Sequence, residues 1–261
     1  EALFSRFAGN CKLPAKREPG METSLHRQLK AVYAPAAARE VRVDGYRIDA
    51  VVDGELIEIQ QASLSALRDK VATLLERHAV RVVKPLFARK RLVNGPCALL
   101  GECAEFIEEP GNASLPLTAL PGRWSPVRAN RWSLFLELVH FVKVFPHPRL
   151  TLEVVLVEVL ESRQATRIRR GRQRHRILDR QLLTVGERVL VRTRADLLKW
   201  LPKTLPAEFT SADLAAAIPL PRWWAQKVTY CLREIGALET RGKRDRAWLY
   251  ARPRTIRKRA A

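Results

Sequence analysis

Hydrophobic and polar positions follow two different periods along this chain, and the switches between them mark its elements. From Glu22 to Tyr33, apolar Leu25, Leu29 and Val32 recur at helical spacing, which predicts an amphipathic helix ended by Pro35. Glu40–Val43, Tyr46–Val52 and Leu56–Gln60 then alternate or run apolar with β-branched residues, as strands do. Asp44-Gly45 and Asp53-Gly54 lie between them, and Asp-Gly between strand-like runs predicts tight hairpin turns. Ser63 or Ser65 is a candidate cap for a helix whose core face is Leu67, Val71, Leu74 and Leu75. Val80–Phe87 reads as a further strand. Helix, three-strand meander, helix and strand make an α/β (α+β) unit of αβββαβ order.

Beyond Phe87 the pattern loosens. Arg89–Arg91 opens a less regular stretch, rich in Pro and Gly from Pro96 to Pro126. Trp132–Phe145 predicts an apolar helix and Leu150–Leu160 a strand. Residues 163–176 hold seven arginines without a core-forming pattern and read as a loop or hairpin tip. Leu182–Val191 and Ala195–Leu201 suit either strand or helix. Ser211 is the expected N-cap of Ala212–Ala217, Pro219 and Pro221 break the chain, and Arg222–Ile235 resumes as a helix with Gly236 as its C-cap. Ala237–Thr240 and Ala247–Ala251 then flank a basic turn over residues 241–246. Helix, turn, longer helix and hairpin is the order of a winged helix. The expected organisation is a possible extension over 1–20 ahead of Met21, a first domain over 21–110, a basic middle region over 111–204 and a winged-helix DNA-binding domain over 205–261.

Charge changes this picture. The chain has 261 residues, with 47 Lys and Arg against 27 Asp and Glu, a formal net charge of +20. Residues 21–110 are neutral, at 13 cations and 13 acids, while residues 111–261 carry 30 cations and 12 acids, a surplus of +18. Such a surplus points to a polyanion partner, DNA first and RNA not excluded; the plain alternative is a solvated basic surface. With 47% hydrophobic residues the chain is neither a disordered basic tail nor, lacking a long apolar run, a membrane protein. Cys11, Cys97, Cys103 and Cys231 form no CxxC pair, so reduced thiols and a cytoplasmic location are expected.

The candidate chemistry lies in the neutral part. Asp49 sits mid-strand in the run 46–52, and Glu58 sits on the next strand in the run 56–60. Carboxylates in apolar strands are costly to bury unless paired or bound to a cation. Oxygen ligands without His or Cys suit a hard cation such as Mg²⁺ or Mn²⁺. The alternative for both acids is a structural salt bridge with Arg47 or another arginine.

A helix carrying Glu22, Arg-Ile-Asp at 47–49, Glu-Ile-Gln at 58–60 and a following helix resemble the PD-(D/E)XK nuclease core, the restriction-endonuclease-like fold. The resemblance covers about residues 21–88 and implies a metal-dependent phosphodiesterase, with Asp49 and Glu58 as metal ligands and Glu22 in support. Gln60 departs from the family pattern, which has lysine there; glutamine orients water but supplies no positive charge. Some members move that lysine to the following helix, where this chain has Lys70; an ordinary exposed lysine is the alternative. Glu22 is equally a helix N-terminal acid favoured by the dipole.

The basic half would hold the substrate. On the longer C-terminal helix the candidates are Arg222, Gln226, Lys227, Tyr230 and Arg233, and on the wing Arg241, Lys243, Arg244 and Arg246. Arg169, Arg170, Arg172 and Arg174 form an arm for phosphates. A winged helix also serves as a protein-interaction or homodimer module. Two functional alternatives stand beside a Mg²⁺-dependent DNA nuclease: a DNA-binding regulator whose nuclease-like unit has lost catalysis, and an RNA-processing nuclease.

Overall fold

The computed structural model describes residues 22–95, 122–169 and 172–253. The expected extension over 1–20, Arg170, Cys11, Cys97 and Cys103 lie outside them. In chain order come helix α1 (Ser24–Tyr33), strands β1 (Arg39–Val43), β2 (Tyr46–Val52) and β3 (Glu55–Ile59), helix α2 (Arg68–Leu74), and strands β4 (Ala79–Asn94) and β5 (Arg123–Trp124). Helix α3 (Leu134–Leu138), strands β6 (Leu150–Arg169) and β7 (Arg172–Val191), and helix α4 (Arg194–Leu198) follow. The chain then forms β8 (Glu208–Phe209), α5 (Ser211–Ala217), α6 (Arg222–Glu234), β9 (Glu239–Arg244) and β10 (Ala247–Ala251).

The αβββαβ order read from periodicity is present, and the protein is mixed α and β. Seven strands form one mixed sheet in the order β1-β2-β3-β4-β6-β7, with β5 paired to β4. The first three are antiparallel neighbours, whereas β3 and β4 run parallel. A parallel pair needs a crossover, and α2 supplies it. Both meander turns place Asp and Gly in the left-handed region, with φ 48° and 80° at Asp44 and Gly45 and 50° and 78° at Asp53 and Gly54. Two-residue turns of that kind follow the right-handed twist of the strands and fix their register.

The chain divides into two compact units. Residues up to Leu29, Phe87–Arg128 and Val157–Val185 make the first, and Lys30–Leu86, Ala129–Leu156 and Gly186 onward make the second. In the first, the start of α1 is tied to β7: Ser24 Oγ donates to Asp179 Oδ2 at 2.5 Å, and Gln28 Oε1 accepts from the Leu182 N–H at 2.8 Å. Trp124 on β5 lies under the guanidinium of Arg89, 3.9 Å from its centroid.

Glu161 on β6 is fully buried in this unit. Burial alone would raise its pKa, but hydrogen bonds from Arg180 and then Arg163 outweigh that and hold it below the usual carboxylate range. A depressed carboxylate contributes stability that is present above the ordinary pKa and is lost as pH falls through the folded-state value. Wild type is therefore expected to exceed Glu161→Gln in urea-unfolding stability at neutral pH, with the gap closing as pH falls below the ordinary carboxylate range. An equal gap at all pH values would contradict this.

In the second unit one hydrophobic cluster joins Leu56, Val71, Leu74 and Val82 to Phe135 and Leu138 of α3 and to Val228 and Leu232 of α6. Residues expected to form a self-contained domain from 205 onward thus share their core with the meander and α2. Phe135 meets Trp132 and Trp200 at centroid distances of 5.9 Å and 5.8 Å. Trp224 Nε1 donates to the Trp132 carbonyl at 3.1 Å, and the Cys231 thiol, pushed up to about 12 by burial, lies 3.6 Å from the Phe135 carbonyl.

Several element readings change. The helix expected over Trp132–Phe145 is a 3₁₀ turn at Arg131–Ser133 and then α3 alone. After Leu138 the bonds tighten to a three-residue span, as in Phe141 N–H to the Leu138 carbonyl at 2.8 Å. β-Branched Val139, Val142 and Val144 crowd a helical turn, and Pro146 and Pro148 lie ahead. Of the two readings for the arginine-rich residues 163–176, the hairpin fits: residues 163–169 continue β6 and residues 172–176 begin its neighbour β7. Leu182–Val191 belongs to a strand, and α4 accounts for the following helix. Thr210, not Ser211, caps α5, in a reciprocal box with Asp213.

Candidate active site and nucleic-acid interface

The meander sets its acids in a row. Ala50 pairs with Ile57 and Val51 with Leu56, so the same register places Asp49 opposite Glu58. On the other side, Arg39 pairs with Ala50 and Val41 with Ile48, which brackets Glu40 opposite Asp49. Carboxylates directly across a ladder repel each other, so each must find a cation or a donor.

The structure shows how each is met. Asp49 Oδ2 accepts the Ile59 N–H at 2.8 Å, and its Oδ1 lies 3.8 Å from Lys30 Nζ. Lys30, buried on α1, donates to Glu40 Oε1 at 2.6 Å, and Arg47 also bonds Glu40. These bonds hold the Glu40 carboxylate below its usual range. Glu40 has φ 59°, a left-handed conformation costly for a side chain of its kind inside a strand. Glu58 has 5% of its side chain exposed and accepts from Lys70 Nζ at 2.6 Å. Burial raises its pKa; Lys70 opposes the shift, and the neighbouring Asp49 charge reinforces it. The site thus contains a carboxylate that its surroundings leave short of positive charge.

The structure brings Asp49, Glu58 and Lys70 together. Lys70 lies on α2, and its ammonium also reaches the Arg47 carbonyl at 2.6 Å. Gln60 is drawn aside: its Nε2 donates to the Ser63 carbonyl at 2.8 Å and closes the loop that Ser63 caps. Glu22 belongs to the first unit, where its carboxylate lies 3.8 Å from His26 Nε2. Lys30 and Glu40 were not anticipated. Lys30 follows the buried Leu29 on an amphipathic helix and is itself buried, and nothing in the local sequence signals the φ of Glu40. A buried Lys84 was also missed: it donates to the Gln61 carbonyl at 3.3 Å and lies 3.5 Å from Glu137, pinning the loop after β3.

The candidate nucleic-acid residues of the second unit fall on α6 and on the β9–β10 hairpin. Arg222, Gln226 and Tyr230 are exposed on α6, as are Arg241, Lys243, Arg244 and Arg246 on the hairpin, whose turn is Asp245-Arg246. Several cations are matched locally: Arg233 to Glu234 at 2.6 Å, Arg241 to Glu239 at 2.9 Å, and Arg244 to Asp213. Lys227 is half-buried, and like Arg222 and Arg246 has no carboxylate partner among the described residues. Also on α6, Val228 is buried, Trp224 is half-buried and Trp223 is exposed. In the arginine arm, Arg169 ends β6, Arg172 begins β7 and Arg174 is exposed on it.

Among the described residues no helix is long and apolar enough to cross a membrane. The chain is 30% identical over 201 residues to an uncharacterized protein of Treponema pallidum (strain Nichols), covering 74% of this chain and 71% of that relative. No solved structure matches it. Residues 23–102 and 117–192, more than half of the chain, match the model of a domain of unknown function, DUF8091, a span that includes the acidic row and stops short of α6. This chain therefore belongs to the DUF8091 family.

Proposed function

We propose that the protein is a divalent-cation-dependent nuclease that hydrolyses phosphodiester bonds of DNA on a PD-(D/E)XK-like αβββαβ core. The observation that carries this reading is the cross-strand pair Asp49 and Glu58 with Lys70 Nζ 2.6 Å from the buried Glu58 carboxylate. The donors are oxygens, and burial makes one of them favour added positive charge. That fits Mg²⁺ or Mn²⁺, which are commonly held by one or two carboxylates together with water and substrate phosphate. Among the described residues no cluster of three or more His, Cys, Asp or Glu is arranged for a metal, and Asp49 and Glu58 are the two that would hold the cation.

Bound there, the cation would supply charge neutralisation at the phosphate and a lowered pKa for water. The chain's own residues do the rest. The Ile59 N–H fixes the Asp49 carboxylate, and Lys70 fixes Glu58 while bringing to the site the positive charge that Gln60 lacks. Cations on α6 and the β9–β10 hairpin, in winged-helix order, hold the phosphate backbone. Gln60 favours a second reading, a DNA-binding protein without catalysis, in which Lys70 only neutralises Glu58.

Supercoiled plasmid, linear DNA and RNA incubated with the full-length protein and Mg²⁺ or Mn²⁺ separate these. Nicking or linearisation of DNA that EDTA abolishes is expected. DNA binding without cleavage in either metal would leave the second reading standing, and cleavage confined to RNA would reassign the substrate.

A further inference from the structure

The three exposed aromatic side chains among the described residues all fall between residues 223 and 248. They are Trp223 at 52% exposure, Trp248 at 46% and Tyr230 at 38%. Scattered exposed apolar residues need no explanation, but aromatics confined to one segment, two of them with a cation at the ring, do. Lys243 Nζ sits 4.8 Å from the Trp248 ring centroid, the Arg233 guanidinium 5.6 Å from that of Tyr230, and Arg222 directly precedes Trp223.

Trp223 is held ready for a flat partner. Its ring stacks on Trp224, with centroids 5.7 Å apart and planes 23° from parallel. Trp224 is fixed in turn by its Nε1 bond to the Trp132 carbonyl at 3.1 Å. One face of the Trp223 indole is therefore occupied by a ring that cannot drift, and the ring is still half exposed.

A base-paired duplex offers phosphates and base edges, but the faces of its bases are covered by their neighbours. Cations meet phosphates, whereas the half-exposed indoles of Trp223 and Trp248 offer apolar ring surface that a duplex does not use. Unpaired bases stack on aromatic side chains, while a basic surface tracks their backbone. Residues 222–252 carry eight Lys and Arg against three Asp and Glu, so the surface complements a polyanion.

We propose that α6 and the β9–β10 hairpin bind nucleic acid with unpaired bases, stacking them on Trp223 and Trp248. The proposal rests on the nucleic-acid-binding part of the function above and not on catalysis. A second copy of this chain and a protein partner are the competing occupants of these exposed aromatics.

The test is binding of the full-length protein, in EDTA, to a labelled mixed-sequence single strand and to the duplex formed with its complement. The single strand is expected to bind more tightly and to quench tryptophan fluorescence. Trp223→Ala should weaken single-strand binding about tenfold and shrink the quench, while duplex binding stays within about twofold. Trp248→Ala, on a separate element, should act in the same direction. Equal affinity for strand and duplex, indifference to both substitutions, or a concentration-dependent dimer that Trp223→Ala dissolves would overturn it. Since EDTA prevents cleavage, a protein that prefers single strands yet never cuts fails the nuclease reading alone, and one that cuts duplex without that preference fails only this inference.

Discussion

Asp49→Asn is expected to leave the protein folded and to reduce Mg²⁺-dependent DNA cleavage roughly a thousandfold, because it removes several kcal/mol of charge stabilisation. The asparagine oxygen still accepts the Ile59 N–H, so the β2–β3 ladder has no reason to open. Glu58→Gln should act alike, since its side-chain oxygen still accepts from Lys70. Lys70→Ala removes the cation and leaves Glu58 buried without its charged partner, so it should cost both cleavage and stability. The measurement is initial rate of plasmid cleavage with circular dichroism on the same preparations. Unchanged cleavage by folded Asp49→Asn would place the chemistry elsewhere.

Much of this site was legible because its signals are local. Period-2 runs separated by two Asp-Gly pairs leave little choice of turn, and the turns set a register that puts 49 opposite 58. What failed to show was set by distant contacts. The strand character of residues 163–169 and 172–176 has no apolar alternation to announce it, because β6 and β7 there are supported by pairing with each other and by buried Glu161, whose partner Arg180 lies on the other strand. Lys30 and Glu40 became part of the acidic row only through a left-handed residue that no turn motif announces. Trp223 and Trp224 are adjacent in sequence and differ only in what lies across from them: Trp132 fixes the second and nothing in the sequence says which.

Phe135→Ala should have the largest effect on stability. The ring is fully buried, packs on Trp132 and Trp200, and lies in the cluster that also contains Leu56 of β3 and Val228 of α6. Removing a buried phenyl ring costs about 3–5 kcal/mol in lost transfer free energy and residual cavity. That is a large share of a typical domain's stability of about 5–15 kcal/mol, so the urea midpoint should fall steeply. Because the cluster joins the meander, α3 and α6, tryptophan fluorescence and far-ultraviolet dichroism should lose signal together. A loss below about 1 kcal/mol, or a C-terminal segment that melts apart from the rest, would contradict a shared core.

The claim on which the functional account turns is that Asp49 and Glu58 together hold a divalent cation. Titration calorimetry of the full-length protein with Mn²⁺, beside Asp49→Asn and Glu58→Gln, tests it without requiring that the right DNA be found. Wild type is expected to bind Mn²⁺ saturably, and either substitution is expected to abolish that binding while the fold is kept. Absence of binding to wild type, or binding that both variants retain, would contradict it.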